Sequence, residues 1–211
     1  MSLLEDYDVL LFDLDGLLID SLDKLSSGLI TAVSRFAKPA ELEVFTSYDR
    51  TNPGLSRFEK IAHFANKIAI GTKIDQQLIL EEFDKESFKA RTESKLSESI
   101  FELNQRFKSK IWVLLTNCDI SQIHEVASIL RLDAIFGENL IGTPPSKHVQ
   151  ARIIRERYQS SKVISISDSE SDGEIAKECS FDFLFVEEFS RGDGDWKLDG
   201  YHKVSRLDDL L

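Results

Sequence analysis

Short, almost wholly apolar runs that stop abruptly at acidic or hydroxyl residues punctuate this chain. Val9-Leu10-Leu11-Phe12 ends in Asp13-Leu14-Asp15-Gly16, and Ile111-Trp112-Val113-Leu114-Leu115 ends in Thr116-Asn117. Val163-Ile164-Ser165-Ile166 ends in Ser167-Asp168, and Phe183-Leu184-Phe185-Val186 in Glu187-Glu188. Runs of this length are too short for a helix and lack a polar face, so they predict strands buried on both sides. Ala134-Ile135-Phe136 before Gly137 predicts one more short strand. Between them the period changes. Ile120, Ile123, Val126, Ile129 and Leu130 recur at helical spacing behind Asp119 as a cap; Val149, Ile153 and Ile154 mark a helix begun by Ser146 after Pro144-Pro145; Ile175 and Ala176 lie in a short third. Strands alternating with helices predict βαβ units, hence an α/β fold with a Rossmann-like parallel sheet flanked by helices.

Residues 21–96 break the alternation. Leu25, Leu29, Ala32 and Phe36 predict one helix, Leu55, Phe58, Ile61, Phe64, Ala65 and Ile68 a second, and Leu78, Phe83 and Phe88 a third, with turn chemistry in Ala37-Lys38-Pro39 and in Arg50-Thr51-Asn52-Pro53-Gly54. This stretch reads as an all-helical domain inserted between the first strand and the rest of an α/β core formed by residues 1–20 and 97–211. Leu96 to Phe107 reads as the helix leading back to the sheet.

Composition narrows the functional classes. The 211 residues carry 37 acidic and 26 basic side chains, a formal charge of −11, which disfavours partners such as nucleic acid or an anionic membrane, since both demand an excess of Lys and Arg. No apolar run has the length of a membrane span, and the acidic start, Glu5-Asp6-Tyr7-Asp8, is unlike the positive n-region of a signal peptide. Cys118 and Cys179 form no CxxC pair, and the four histidines form no ligand pair, so the expectation is two buried free thiols in a reducing cytoplasm. What remains is the acid at the strand ends, where open α/β sheets bind their ligands.

Four ordered segments carry a resemblance. Leu10-Leu11-Phe12-Asp13-Leu14-Asp15-Gly16-Leu17-Leu18-Ile19-Asp20-Ser21, Leu114-Leu115-Thr116-Asn117, Lys147, and Ile166-Ser167-Asp168-Ser169-Glu170-Ser171-Asp172 are together similar to the motifs of the haloacid dehalogenase superfamily of aspartate-nucleophile phosphohydrolases. The insertion directly after the first motif resembles the small helical cap of the subgroup containing phosphoglycolate phosphatase and β-phosphoglucomutase. The resemblance implies that Asp13 is the nucleophile and Asp15 the general acid and base. It implies that Thr116, Asn117 and Lys147 hold the phosphoryl oxygens, and that Mg²⁺ is bound by Asp13, the Asp15 backbone carbonyl and Asp168. Asp172 is then either a ligand through water or a partner behind the ligands. Such chemistry is physically coherent: a carboxylate attacks an anionic phosphorus only where cations offset the repulsion and fix the approach.

Two positions depart from the family pattern. Ser167 stands where Gly usually precedes the first acid of the fourth motif, and His148 stands where Pro usually follows the lysine. An acid at Asp15, absent from dehalogenating relatives, favours phosphate chemistry. In the inserted domain Arg50, Asn52 and Arg57, with Lys60 beyond, are the candidates for contacting a leaving group; a solvated surface loop is the alternative. The implied function is a cytoplasmic Mg²⁺-dependent phosphatase, monomer or homodimer, acting on a small phosphorylated metabolite. A phosphomutase and a catalytically idle binding module are the alternatives.

Overall fold

The computed structural model describes residues 3–52, 55–192 and 200–211. The chain divides into two compact units, one formed by Met1–Asp20 with Ser94–Leu211 and the other by Ser21–Glu93.

The first unit is built on a six-stranded parallel sheet. Its strands are β1 (Val9–Phe12), β2 (Ile111–Asp119), β3 (Leu140–Thr143), β4 (Val163–Ser167), β5 (Asp182–Val186) and β6 (His202–Val204), in spatial order β3-β2-β1-β4-β5-β6. All neighbours pair in parallel. The chain leaves β1 toward one edge and returns to lie on its other side as β4, so the order reverses between these two strands. A reversal of this kind opens a crevice at the carboxyl ends of the strands flanking it. Register places Phe12 opposite Ile166, and the Asp13 N–H donates to the Ile166 carbonyl at 3.1 Å.

Strand residues alternate between two cores. On one face Val9, Leu11, Val113, Leu115, Val163, Phe183 and Phe185 pack with Ala151 and Ile154 of the helix Lys147–Arg157 and with Ile175, Ala176 and Cys179 of Glu170–Glu178 and its C-cap. On the other, Phe12 stacks on Trp112 with ring centroids 4.9 Å apart, and Phe136 meets Phe12 edge-on at 6.0 Å; each such pair adds roughly 1 kcal/mol beyond its burial. Both cysteines are buried and free, and among the described residues no helix is long and apolar enough to cross a membrane.

Several local expectations are corrected. Asp133–Phe136 is a helical turn rather than a strand, and the edge strand is Leu140–Thr143, whose Gly and Thr disguise it as a turn. The helix after β2 is only Ile123–Ile129, with Ile120 and Ile129 exposed; Asp119 does not cap it but accepts from the Ser121 N–H at 2.8 Å and the Ser121 hydroxyl at 2.6 Å. The helix leading into β2 is Ser99–Arg106, and Leu96 instead forms an antiparallel bridge with Ile19.

Gly142 fixes how β2 ends. A Cβ there would stand 2.7 Å from the Cys118 carbonyl oxygen and 3.0 Å from the Ile120 Cα, beyond a shift of register between Leu115 and Asp119. Backbone on that side cannot yield cheaply. Gly142→Ala is therefore expected to lower stability by roughly 1–3 kcal/mol, read as a fall in melting temperature.

The second unit is all helical: α1 (Leu22–Ser34), α2 (Pro39–Thr51), α3 (Arg57–His63) and α4 (Gln76–Thr92), with a π-helical turn at Phe64–Ile68 after α3. Leu29, Val33, Phe45, Ile61, Phe64, Ile79 and Phe83 form its core. Helix α2 replaces the turn expected at Ala37-Lys38-Pro39, because proline at the first helical turn loses no hydrogen bond and Glu41 reaches back to the Lys38 N–H at 2.9 Å. Arg50 and Thr51 thus belong to a helix, while Pro53 and Gly54 lie outside the described residues.

Candidate active site

The carboxyl end of β1 delivers Asp13, and the turn after it is shaped by its glycine. Gly16 has φ of 86°, a conformation that side-chain-bearing residues rarely adopt, and its N–H donates to the Ile19 carbonyl at 2.9 Å. Leu17, Leu18 and Ile19 are then drawn wholly into the core, leaving Asp13 and Asp15 partly accessible on the short segment between.

Lys147 joins the elements. It sits at the first position of its helix, behind Ser146 as N-cap, and it is buried. Its Nζ lies 2.9 Å from Asp13 Oδ1 and 2.8 Å from Asp172 Oδ2. Asp172 is in the first turn of the helix Glu170–Glu178, where its N–H donates to the capping Ser169 hydroxyl at 3.3 Å. Its Oδ2 also accepts a hydrogen bond from the Ser167 hydroxyl at the end of β4. Asp168, immediately after β4, is buried and among the described residues enters no ion pair. Its backbone carbonyl accepts the Ser190 hydroxyl at 2.7 Å, and the Ser190 oxygen in turn accepts the Gly192 N–H at 3.0 Å, tying the loop after β5 to the segment after β4.

Electrostatics mark the site as short of positive charge. Burial pushes the Asp13 carboxyl up to about 7, and the neighbouring Asp172 and Asp15 add to this against the pull of Lys147. Burial likewise raises Asp168 well above the usual carboxylate range, with Asp13 and Asp172 reinforcing it. For Lys147, burial acts to lower the ammonium, but Asp13 and Asp172 together outweigh it and hold it above the ordinary lysine value. These directions agree with one another physically. One ammonium serves several carboxylates, so it is held firmly while they compete for it.

The same observation tests whether a cation fits. Asp172 Oδ2 accepts from Lys147 and Ser167, and among the described residues no group of three or more His, Cys, Asp or Glu side chains is gathered that could hold a metal. The carboxylates that could hold a cation are those of Asp13, half-buried, and Asp168, buried, with the Asp15 backbone carbonyl as the further ligand that the motif resemblance implies. An all-oxygen set completed by water is the chemistry of Mg²⁺ rather than of a softer metal.

Thr116 and Asn117 follow Leu115 on the strand beside β1, whose register pairs Phe12 with Leu114. Thr116 and Asn117 are within β2 rather than beyond it; Thr116 is wholly buried, its hydroxyl accepting the Cys118 N–H at 3.1 Å, and Asn117 is half-buried with its carbonyl accepting the Thr143 hydroxyl at 3.2 Å. In the helical unit Arg50 is exposed, and Asn52 donates to the Tyr48 carbonyl at 2.8 Å. Arg57 is not a free surface cation: it lies 3.9 Å from Asp84 and 4.4 Å over the Phe58 ring. Lys60, on the helix after the polar loop, is buried with its Nζ 2.8 Å from Asp49, which also accepts the Ser26 hydroxyl. Sequence reasoning singled out neither Ser190 nor the bonding of Ser167. The one available signal for Ser167 was its departure from glycine.

This architecture is shared with solved structures. The chain has the haloacid dehalogenase-like fold. A haloacid dehalogenase-like family hydrolase from Streptococcus pneumoniae superposes with TM-score 0.70 at 19% identity, over 98% of each chain. CbbY from Rhodobacter sphaeroides, solved in complex with phosphate, does so with TM-score 0.70 at 14% identity, over 97% of this chain and 96% of that one. The haloacid dehalogenase-like hydrolase YfnB from Bacillus subtilis, solved bound to magnesium, gives TM-score 0.68 at 14% identity over the same shares. No family model matches the sequence, and no curated protein is similar to it.

Proposed function

We propose that this protein is a Mg²⁺-dependent phosphatase that hydrolyses a small-molecule phosphate monoester through an aspartyl-phosphate on Asp13. The observation that supports this best is the Lys147 ammonium shared between Asp13 and Asp172 beside the buried Asp168, at the strand ends where the sheet order reverses. A carboxylate that must meet an anion needs such a cation at its side. The phosphate and magnesium carried by CbbY and YfnB on the same fold support the same reading.

In the first step an Asp13 carboxylate oxygen forms a bond to phosphorus as the ester P–O bond breaks, and the departing alkoxide takes the proton of the Asp15 carboxyl group. In the second, the Asp15 carboxylate removes a proton from water, whose oxygen bonds to phosphorus as the bond to Asp13 breaks, releasing inorganic phosphate and restoring both side chains. Lys147 offsets charge on the transferring oxygens, with Thr116 and the Asn117 N–H as the further holders carried over from the motif resemblance. Mg²⁺ would be held by Asp13, Asp168 and the Asp15 carbonyl, and when bound supplies the positive charge that brings the phosphate dianion against a carboxylate. Arg50, Asn52 and Arg57 are the proposed contacts to the leaving group. Two free buried thiols suit a cytoplasmic protein.

The test is release of inorganic phosphate from p-nitrophenyl phosphate and from a panel of phosphorylated metabolites. Activity is expected with Mg²⁺, to vanish with chelator, and to return when Mg²⁺ is added back. Isomerised sugar phosphate without phosphate release would establish a mutase instead, and inertness toward every ester would overturn the enzymatic reading.

A further inference from the structure

Asp172 Oδ2 takes two donors at once, the Lys147 ammonium at 2.8 Å and the Ser167 hydroxyl. Both donors are buried, Ser167 at 1% exposure, so neither can exchange its partner for water. The residues therefore form one chain, Ser167 to Asp172 to Lys147 to Asp13, running from the last residue of β4 through the first turn of the following helix to the end of β1. Lys147 is the contested member, since two carboxylates face it, Asp13 just after β1 and Asp172 in the first turn of the helix after β4. Where its Nζ comes to rest depends on how strongly each one pulls and on how each is oriented.

We infer that Ser167 is a positioning residue: its hydroxyl fixes the Asp172 carboxylate and takes up part of its charge, so that Lys147 is held in reach of Asp13 instead of collapsing onto Asp172. A glycine at this position, the residue the motif usually carries, has no donor to offer. Serine has one at the length required, because β4 is extended there and the helix that follows turns Asp172 back over the strand end. A hydrogen bond to a buried carboxylate changes both its orientation and its attraction for a second partner. Ser167 touches no reacting atom; it acts through Asp172 and Lys147. The inference rests on the reading of Asp13 as nucleophile only for its kinetic consequence.

Three variants test it with Mg²⁺ and p-nitrophenyl phosphate. Ser167→Ala is expected to lower kcat about tenfold while KM changes little, because a displaced cation is missed chiefly in the transition state. Ser167→Thr, which keeps the hydroxyl, is expected to restore it. Independently of turnover, the buried Lys147 ammonium gives a protected side-chain NMR signal in metal-free protein, assigned by its absence from Lys147→Met. That signal is expected to shift or broaden in Ser167→Ala and to persist in Ser167→Thr. Wild-type kcat and an unmoved Lys147 signal in Ser167→Ala overturn the inference, as does a lowered melting temperature with both of these unchanged. If Ser167→Ala does not fold, Ser167→Cys, similar in volume but a weak donor, supports the same comparison. Should the wild-type protein hydrolyse no phosphate ester, the proposed function fails, and the Lys147 signal alone decides the role of Ser167.

Discussion

Asp13→Asn is expected to abolish turnover and, in metal-free protein at neutral pH, to make the fold more stable. Removal of a nucleophile from a covalent mechanism costs roughly 10⁴-fold or more, since the second step cannot proceed without the bond formed in the first. The stability gain follows from the carboxyl group's environment. Its ordinary value is 3.8 and burial raises it to about 7 in the folded protein, so folding favours the protonated form. The contribution of Asp13 to stability is then full below 3.8 and is lost as pH rises through about 7. Asparagine cannot ionise and escapes that loss. At pH 8 in chelator the variant should exceed the wild type by roughly 2 kcal/mol, and the gap should close toward pH 5. Added Mg²⁺ should raise the melting temperature of the wild type and have much less effect on the variant. Thermal melts across pH with and without Mg²⁺, beside phosphate-release assays, check both halves. Retention of substantial activity would sink the nucleophile assignment, and a variant less stable than wild type at pH 8 in chelator would sink the electrostatic one.

That trade between stability and chemistry explains which features were legible in the residues. Strands β1, β2, β4 and β5 announce themselves because each carries a short run that is apolar or nearly so and buried on both faces, and the acids just past β1 and β4 stand out against that background. Edge strands lack this contrast. Leu140-Ile141-Gly142-Thr143 carries a glycine for a close approach to Cys118, not for a turn, and His202-Lys203-Val204 is mostly exposed, so neither has a buried strand's pattern. Helix α2 was hidden for another reason. Its sequence begins with proline and presents only Phe45 as a fully buried apolar side chain, leaving the Lys38 capping box as its one local signal.

The candidate site divides in the same way. Which residue types cluster near the strand ends can be read locally, but which of them bond to one another cannot. Lys147 taken alone resembles any solvated lysine, and only the pairing of β1 with β4 and the packing of the helix Lys147–Arg157 against the sheet bring it to Asp13 and Asp172. Lys60 makes the same point inside the helical unit, where burial against Asp49 turns an expected surface charge into an internal ion pair. In both cases the sequence carries the charge and the tertiary structure decides whether water or a carboxylate answers it.

Lys147→Met is the converse experiment to Asp13→Asn. Methionine matches the length of the lysine stem but leaves Asp13, Asp168 and Asp172 facing one another with no cation among them. Removing one partner from a buried charge cluster typically costs about 3–5 kcal/mol, so the melting temperature in chelator at pH 8 should fall by roughly 10 °C. Activity should fall by roughly 10²–10³-fold even where the variant is folded, the usual loss when a donor to developing transition-state charge is deleted. The pH dependence distinguishes lost charge from lost packing. Without Lys147 the Asp13 and Asp168 carboxyl groups are raised further, so lowering the pH protonates them and the variant should recover toward wild type between pH 8 and pH 5. Adding Asp172→Asn to Lys147→Met removes one of the stranded charges and should restore part of the lost stability at pH 8. A deficit that ignores both pH and the second substitution would mean that Lys147 matters for its methylenes, and the account of the site as one cation shared among competing carboxylates would fall.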